Sequence, residues 1–380
     1  MTEECRALYI HAPFCLGKCP YCDFYSVVYS QEAADRYIQA VCQALEQLPF
    51  PAGPFETVYF GGGTPSLLGG KRIGAILQKA SRFTILPGAE ITVECNPGSL
   101  TEQDLKELYA AGVNRISMGV QSASSQQLQL LGRRHDVRQA AKAAAMAQAA
   151  GFSHLSFDLM LGLPGQDENE ILKGVRFCRE HGAEHVSAYL LKIEPGTLFA
   201  KNGMASRCPG EDAQADLYLF AVHTLESYGY SQYEISNFAA NGHISRHNLK
   251  YWDCAGYLGI GPSAHSFIQG RRFHFPRNLK GFLEAENVWG LCQDDGPGGG
   301  PEEYIMLRLR LSEGILWDAL EERYPGLGLK QKICHGAEPL LGTGLVACNQ
   351  KQIRLTPQGM LVSNSIISML VPECQEEGQS

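Results

Sequence analysis

Residues 11–26 read HAPFCLGKCPYCDFYS, and the cysteines in this stretch admit more than one chemistry. Taken from Cys19, CPYC has the spacing of a redox dithiol. Taken from Cys15, CLGKCPYC is a set of three thiols separated by three and then two residues. A redox dithiol normally opens a helix, whose N-terminus lowers the pKa of the first thiol. The residues that follow here, DFYSVVYS, are aromatic and β-branched and start a helix poorly. A dithiol also leaves Cys15 without a role, and a structural zinc ion asks for a fourth protein ligand nearby. Three thiolates on one loop can instead hold three irons of a cubane cluster, with the fourth iron open to a substrate or cofactor. The spacing therefore favours an iron–sulfur site at Cys15, Cys19 and Cys22.

Working outward, short apolar segments at 7–11, 57–60, 90–95, 115–120, 155–161 and 185–191 alternate with helical stretches at 31–47, 69–82, 101–111, 136–150 and 167–181. Thr101 and Asp167 suit N-caps, and Gly112 and Gly151 suit helix ends. The strand segments are rich in β-branched and aromatic residues, as strands buried on both faces are. Six β/α units in a row predict a parallel sheet with right-handed crossovers, either open or curled into a partial barrel. In such domains ligands gather beyond the C-terminal ends of the strands. The cysteine loop follows the first strand and GGGTPS (61–66) the second; Glu94 and Asn96 end the third, Gln121 ends the fourth, and Asp158 lies on the fifth. These features are expected to face one cavity. GGGTPS is neither a Walker loop nor a dinucleotide fingerprint, but its glycines let the backbone approach a ligand closely.

Farther along, a helix at 210–228 leads to SQYEISNFA and RHNLKYW, and GLCQDDGPGGGP (290–301) reads as a linker. The remainder predicts a small helical domain with a short hairpin. The expected division is 1–235 for the core, 236–290 for an extension, 291–301 for the linker, 302–372 for the C-terminal domain and 373–380 for a frayed tail.

The chain of 380 residues is 44% hydrophobic and 19% charged, a globular composition. Its net charge of -8, with no long run of like charges, argues against nucleic acid as a partner. No stretch reaches the roughly 18 apolar residues of a membrane span. The N-terminus lacks the basic and apolar regions of a signal peptide. The 13 cysteines are mostly scattered, which suits a reducing cytoplasm.

YIHAPFCLGKCPYC together with GGGTPS resembles the radical S-adenosylmethionine superfamily. With ECNPG, MGVQS and DLMLGLPGQ, the likeness runs from Tyr9 to about Leu370. It resembles most the branch holding the oxygen-independent coproporphyrinogen dehydrogenases and the HemW-type haem chaperones. The resemblance implies an α/β fold, a partial (β/α)6 TIM-like barrel, with a small, mainly helical C-terminal domain of the HemN type. It implies a 4Fe–4S cluster on Cys15, Cys19 and Cys22, whose open iron chelates S-adenosylmethionine. Tyr9, Gly62, Gly63, Thr64 and Glu94 match positions around that molecule. Gln121, Arg133 and Asp158 match positions that hold a second one in the dehydrogenase.

Within the branch, the dehydrogenase has another cysteine two positions beyond the third ligand, where this chain has Phe24, and a longer N-terminal extension. RHNLKYW matches the HNxxYW pattern of the haem chaperones, with His247, Asn248, Tyr251 and Trp252. His247 is then the expected axial ligand of haem iron, with His265 as second choice and His11 in a structural role. Tyr251 and Trp252 would offer flat apolar surface to the porphyrin. The implied function is a chaperone that binds haem and passes it to an acceptor haemoprotein, with an electron donor for the cluster. The alternative is the dehydrogenase, in which a 5′-deoxyadenosyl radical removes hydrogen from a porphyrinogen propionate.

Overall fold

The computed structural model describes residues 5–371, so the expected tail at 373–380 lies outside the described residues. The first half alternates β1 (Ala7–Ala12), α1 (Gln31–Glu46), β2 (Phe55–Gly62), α2 (Gly69–Ala80), β3 (Ile85–Cys95), α3 (Glu102–Ala110), β4 (Arg115–Gln121), α4 (Val137–Ala149), β5 (His154–Leu161), α5 (Glu168–Glu180) and β6 (His185–Leu190). These six strands pair in sequence order, all parallel. Local chemistry fixes the helix starts. Thr101 and Asp136 close capping boxes with Asp104 and Gln139, and the Asp167 carboxylate accepts the Glu170 amide.

Further strands extend both sides of this core. After α6 (Glu211–Ser227), β7 (Tyr230–Gln232) and β8 (Asn237–Ala240) form a hairpin whose second strand lies against β6. Helix α7 (Arg246–Trp252) then leads to β9 (Tyr257–Ile260), which runs parallel to β1 on its other side. From β9 the chain folds through β10 (His265–Ile268), β11 (Arg271–His274), α8 (Leu279–Glu284) and β12 (Gln293–Pro297). The sheet has 12 strands in the order β12-β11-β10-β9-β1-β2-β3-β4-β5-β6-β8-β7. Among the described residues no pairing joins its two edges.

Side chains alternate along a strand, and here the two faces differ in chemistry. Leu8, Ile10, Val58, Phe60, Val93, Ile116, Phe157 and Val186 are fully buried on the helix side. The opposite face carries Tyr59, Thr92, Glu94, Arg115, Ser117, Ser156, Asp158, His185 and Ser187, all lining one cavity of about 620 Å³. A single cavity that touches β2, β3, β4, β5 and β6 from the same side requires the sheet to curl, the partial barrel expected from the sequence. Both faces are covered, as expected, but only one is apolar.

Residues 291–301, read above as a linker, still connect the two parts, yet Gln293–Pro297 pair with β11 as the edge strand. A register shift between Arg272 and Phe273 lets this glycine-containing segment follow the bend. Beyond it lie α9 (Pro301–Arg308), β13 (Ile315–Leu316), α10 (Trp317–Arg323), α11 (Leu329–Ala337), β14 (Val346–Cys348), β15 (Gln352–Leu355), α12 (Pro357–Leu361) and α13 (Ser363–Leu370). The expected hairpin is β14–β15, to which β13 adds a third strand. The apolar core here joins Ile305, Trp317, Ile333 and Ile353 to Ala7, Tyr257 and Phe267 of the large sheet. Among the described residues no helix is long and apolar enough to cross a membrane.

The difference between the faces can be measured. Phe157 is fully buried against Phe177 of α5, so Phe157→Ala is expected to cost about 3–5 kcal/mol in urea unfolding. Thr92 is equally inaccessible, but its hydroxyl has no partner in the protein; Thr92→Val should be close to neutral. A large loss for Thr92→Val with little loss for Phe157→Ala would mean that the faces are assigned the wrong way round.

Candidate functional site

The cysteine loop leaves the C-terminal end of β1. Phe14–Cys15 pair in parallel with Val27–Val28, so the β-branched residues after CPYC form a short strand pair and no helix starts at Cys19. The Cys22 amide donates to the Cys19 carbonyl at 3.1 Å, and Cys15, Cys19 and Cys22 are unpaired and partly buried. Burial pushes the Cys22 thiol above its usual pKa, and the nearby Cys19 and Cys15 add to that push. The three sulfurs do not gather within 4.8 Å of one another, as three ligands of a single ion would. A wider set of reduced thiols on one loop fits a polynuclear group better than zinc.

Gly61, Gly62 and Gly63 bring the end of β2 against this loop. Gly62 has φ +115, and a Cβ there would lie 2.8 Å from the His11 ring. A Cβ on Gly63 would lie 2.6 Å from the Phe14 carbonyl oxygen, while the Gly63 amide donates to Ala12 at 2.9 Å. Much of the room the glycines leave is thus taken by the protein itself. Thr64 Oγ1 stands 3.6 Å from Cys15 Sγ and accepts a hydrogen bond from Asn96 Nδ2 at 2.9 Å.

Arg133 is neither solvated nor paired with a carboxylate. Its guanidinium donates to Tyr21 Oη at 3.2 Å, to the Gly119 carbonyl at 2.7 Å and to Asn96 Oδ1, and lies 3.7 Å from Cys19 Sγ. It therefore ties the cysteine loop to the ends of β3 and β4. The neighbouring Arg134 is exposed and donates to the Leu16 carbonyl at 3.1 Å. Gln121, with φ 68, turns its side chain back to accept from Tyr189 Oη at 3.0 Å.

Of the carboxyl groups that line the cavity, Glu94 and Asp158 stand on its strands. Glu94 accepts from Tyr59 Oη at 2.7 Å and from the Gly62 amide at 3.2 Å; burial nevertheless raises its pKa to about 7. Burial likewise raises Asp158 to about 7, reinforced by Glu94 and opposed by Arg133 and Ser187. Each can change charge near neutral pH. Tyr9 packs over Tyr59 with ring centroids 6.1 Å apart, and its hydroxyl lies 3.0 Å from His11 Nδ1. The other His11 nitrogen is 3.2 Å from the Tyr25 carbonyl, and burial lowers the ring to a pKa of about 4.

His247 does not present an open ligand atom. It is 1% exposed, with Nδ1 2.8 Å from Thr57 Oγ1 and Nε2 2.9 Å from Tyr251 Oη. Its amide donates to Glu90 at 2.9 Å, and its ring stacks on Tyr59 at 4.9 Å. Burial lowers its pKa to about 3. Both ring nitrogens are thus engaged where α7 closes the floor of the barrel, and the axial-ligand role expected from HNxxYW would require one of these bonds to open. Tyr251 is partly buried and packs edge-on to Tyr257 at 4.7 Å. His265 is exposed at the start of β10 and lies 3.5 Å from Asp295.

Sequence reasoning missed Arg115, Ser117, Ser156, His185 and Ser187, which line the cavity between the carboxyl groups and the floor. Their signal was available. ITVEC, RISMGV, LSFDLML and HVSAYLL place a polar residue at alternate positions inside apolar runs.

The Radical SAM superfamily matches residues 9–178, and the HemN C-terminal domain matches residues 301–362. The protein named heme chaperone HemW from Escherichia coli is 36% identical over 97% of this chain and 98% of its own length. Its namesake from Mycobacterium tuberculosis is 33% identical over 98% and 96%. A mouse protein, radical S-adenosyl methionine domain-containing protein 1, mitochondrial, is 34% identical over 98% and 89%. Among solved structures, Escherichia coli coproporphyrinogen III oxidase (HemN) superimposes with a TM-score of 0.82 at 23% identity, over 97% of this chain and 90% of its own, a likeness of fold. Identity of 33% and 36% to these HemW proteins over nearly the full length of both chains, with the two family matches, places this chain in the HemW family of the radical SAM superfamily.

Proposed function

We propose that this protein is a haem chaperone, carrying a 4Fe–4S cluster and S-adenosylmethionine and delivering haem to an acceptor haemoprotein in the cytoplasm. The reading rests on family membership and on one observation: a reduced three-cysteine loop stands at the barrel mouth within an apolar rim. Phe24 is 69% exposed, Val28 75% and Leu16 47%, an unusual concentration of apolar surface beside one loop. Phe24 also occupies the place of the dehydrogenase's additional cysteine. In this reading residues 1–235 and 236–290 form the cofactor barrel and its floor, and 302–372 its cover.

Cys15, Cys19 and Cys22 would hold the cluster, which supplies an open iron for the methionine end of S-adenosylmethionine and electrons from a separate donor. Tyr9, Gly62, Gly63, Thr64 and Glu94 would enclose that molecule, with Glu94 accepting from ribose hydroxyls or the ammonium. Gln121 and Asp158 would bound the space below. Arg133 would act by holding the loop in place.

In anaerobically reconstituted protein, alanine at Cys15, Cys19 and Cys22 should abolish the broad visible absorption and the bound iron. Retention of both would remove the ligand assignment.

A second expectation concerns pH. A carboxyl with a raised pKa favours the folded state while protonated, so stability in the ligand-free protein is lost as pH rises from about 4.5 through about 7. Binding runs the other way, because only ionised Glu94 accepts with both oxygens. Affinity for S-adenosylmethionine should rise about tenfold between pH 6 and pH 8, following the ionised fraction. Glu94→Gln should flatten that profile. A wild-type profile that is already flat would exclude Glu94 from the contact.

Haem titration should give a Soret shift that survives His247→Ala, although that variant should unfold about 2–4 kcal/mol more easily, because Thr57 and Tyr251 lose their partner. A folded His247→Ala protein without the shift would make His247 the iron ligand. Anaerobic incubation with coproporphyrinogen, S-adenosylmethionine and a reductant should release no carbon dioxide. Sustained release would establish the dehydrogenase reading in its place.

A further inference from the structure

At the end of the barrel opposite the cysteines, His154 opens β5, Glu184 directly precedes β6, and His243 lies in the turn after β8. The backbone holds these three segments together. The Glu184 amide donates to Leu155 at 2.9 Å, the Ala240 amide to Glu184 at 2.9 Å, and the His243 amide to Ala240 at 3.0 Å. The side chains converge as well. Glu184 Oε2 lies 2.7 Å from His154 Nδ1 and 3.5 Å from His243 Nδ1, with the two rings 5.3 Å apart at 42°.

We propose that His154, Glu184 and His243 form a binding site for one divalent transition-metal ion, with zinc as the best fit. Two imidazole nitrogens and one carboxylate oxygen, all within 4.8 Å of one another, are a three-ligand set of borderline hardness. Bonds of about 2.0–2.1 Å in a tetrahedral site set neighbouring ligand atoms about 3.4 Å apart. The 3.5 Å His243 separation already meets that value, and the 2.7 Å His154 separation needs to open by about 0.7 Å, within reach of side-chain rotation at these part-exposed residues.

Hydrogen bonding alone leaves the arrangement incomplete, since 3.5 Å is too long for a good N–H···O bond. With side chains 43%, 30% and 36% exposed, an ion can enter and keep a water as its fourth ligand. A second group, His265, His274 and Asp295, is less suited. There His274 Nδ1 already engages both Asp295 oxygens, at 2.8 and 3.0 Å, and the imidazoles stack at 24°, so their lone pairs run side by side.

The ion would do more than decorate the surface. Arg115 Nη1 donates to the carbonyls of His243 and Ile244, each at 3.3 Å, and Ser245 caps α7. Metal at this turn would stiffen the segment that carries His247 and Asn248 under the cavity.

The test uses the full chain with its cluster reconstituted, so that Cys15, Cys19 and Cys22 do not compete for zinc. Calorimetric titration with zinc chloride should show one site, at least about tenfold weaker in His154→Ala and in His243→Ala. Zinc should raise the thermal midpoint of the wild type and leave that of the variants unmoved. Glu184→Gln keeps an acceptor for His154 and so the local fold, and should weaken zinc binding in the same way. Equal zinc affinity in folded wild type and variants, or no zinc uptake by the wild type, would overturn the proposal and leave an ordinary surface ion pair.

Discussion

A strand shows its neighbours only two faces, and from β1 to β6 those faces are committed to different purposes. The outer row, from Leu8 to Val186, is sealed by helices and supplies the apolar burial that holds the domain together. The inner row is polar and encloses the cavity. A one-residue slip in any pairing would exchange the rows, burying Glu94 or Asp158 among helices and exposing Val93 or Phe157 to the lumen. Register is therefore set by the same alternation that equips the site. Fold and chemistry are specified by one pattern.

The cysteine loop leaves β1 without helical structure, and beyond the contact of His11 with the Tyr25 carbonyl it needs an attachment of its own. Arg133 supplies it from the far side of β4 through Tyr21, Asn96 and Gly119. Gly119 permits this approach, since a Cβ there would lie 3.1 Å from the guanidinium. Thr64 and Asn96 extend the same network toward Cys15. The loop thus depends on hydrogen bonds to two strand ends, and the glycines of β2 let it pack closely.

Much of this was legible in the residues. Caps such as Thr101 and Asp167, the β/α alternation and the three-cysteine spacing all have local causes, and local causes survive folding. The roles of Arg133 and His247 did not have local causes. Whether an arginine pairs with a ligand or clasps a loop depends on Tyr21 and Asn96, which lie 112 and 37 residues away. His247 looked available because its Thr57 partner is 190 residues distant. The segment at 291–301 looked like a linker because glycine and proline punctuate it, and only the neighbouring β11 makes five of its residues a strand.

The shared apolar cluster of the C-terminal region has a consequence for how the chain can be divided. Trp317, Ile333 and Ile353 pack in one continuous core with Ala7, Tyr257 and Phe267, while Arg308 bridges Asp253 and Glu313 across the same seam. A protein cut near residue 300 would leave an apolar scar on the wall of the sheet, and the released piece would lose Ala7, Cys254, Tyr257 and Phe267 from its interior. The two matched families are thus separate stretches of sequence that share one apolar core across their seam.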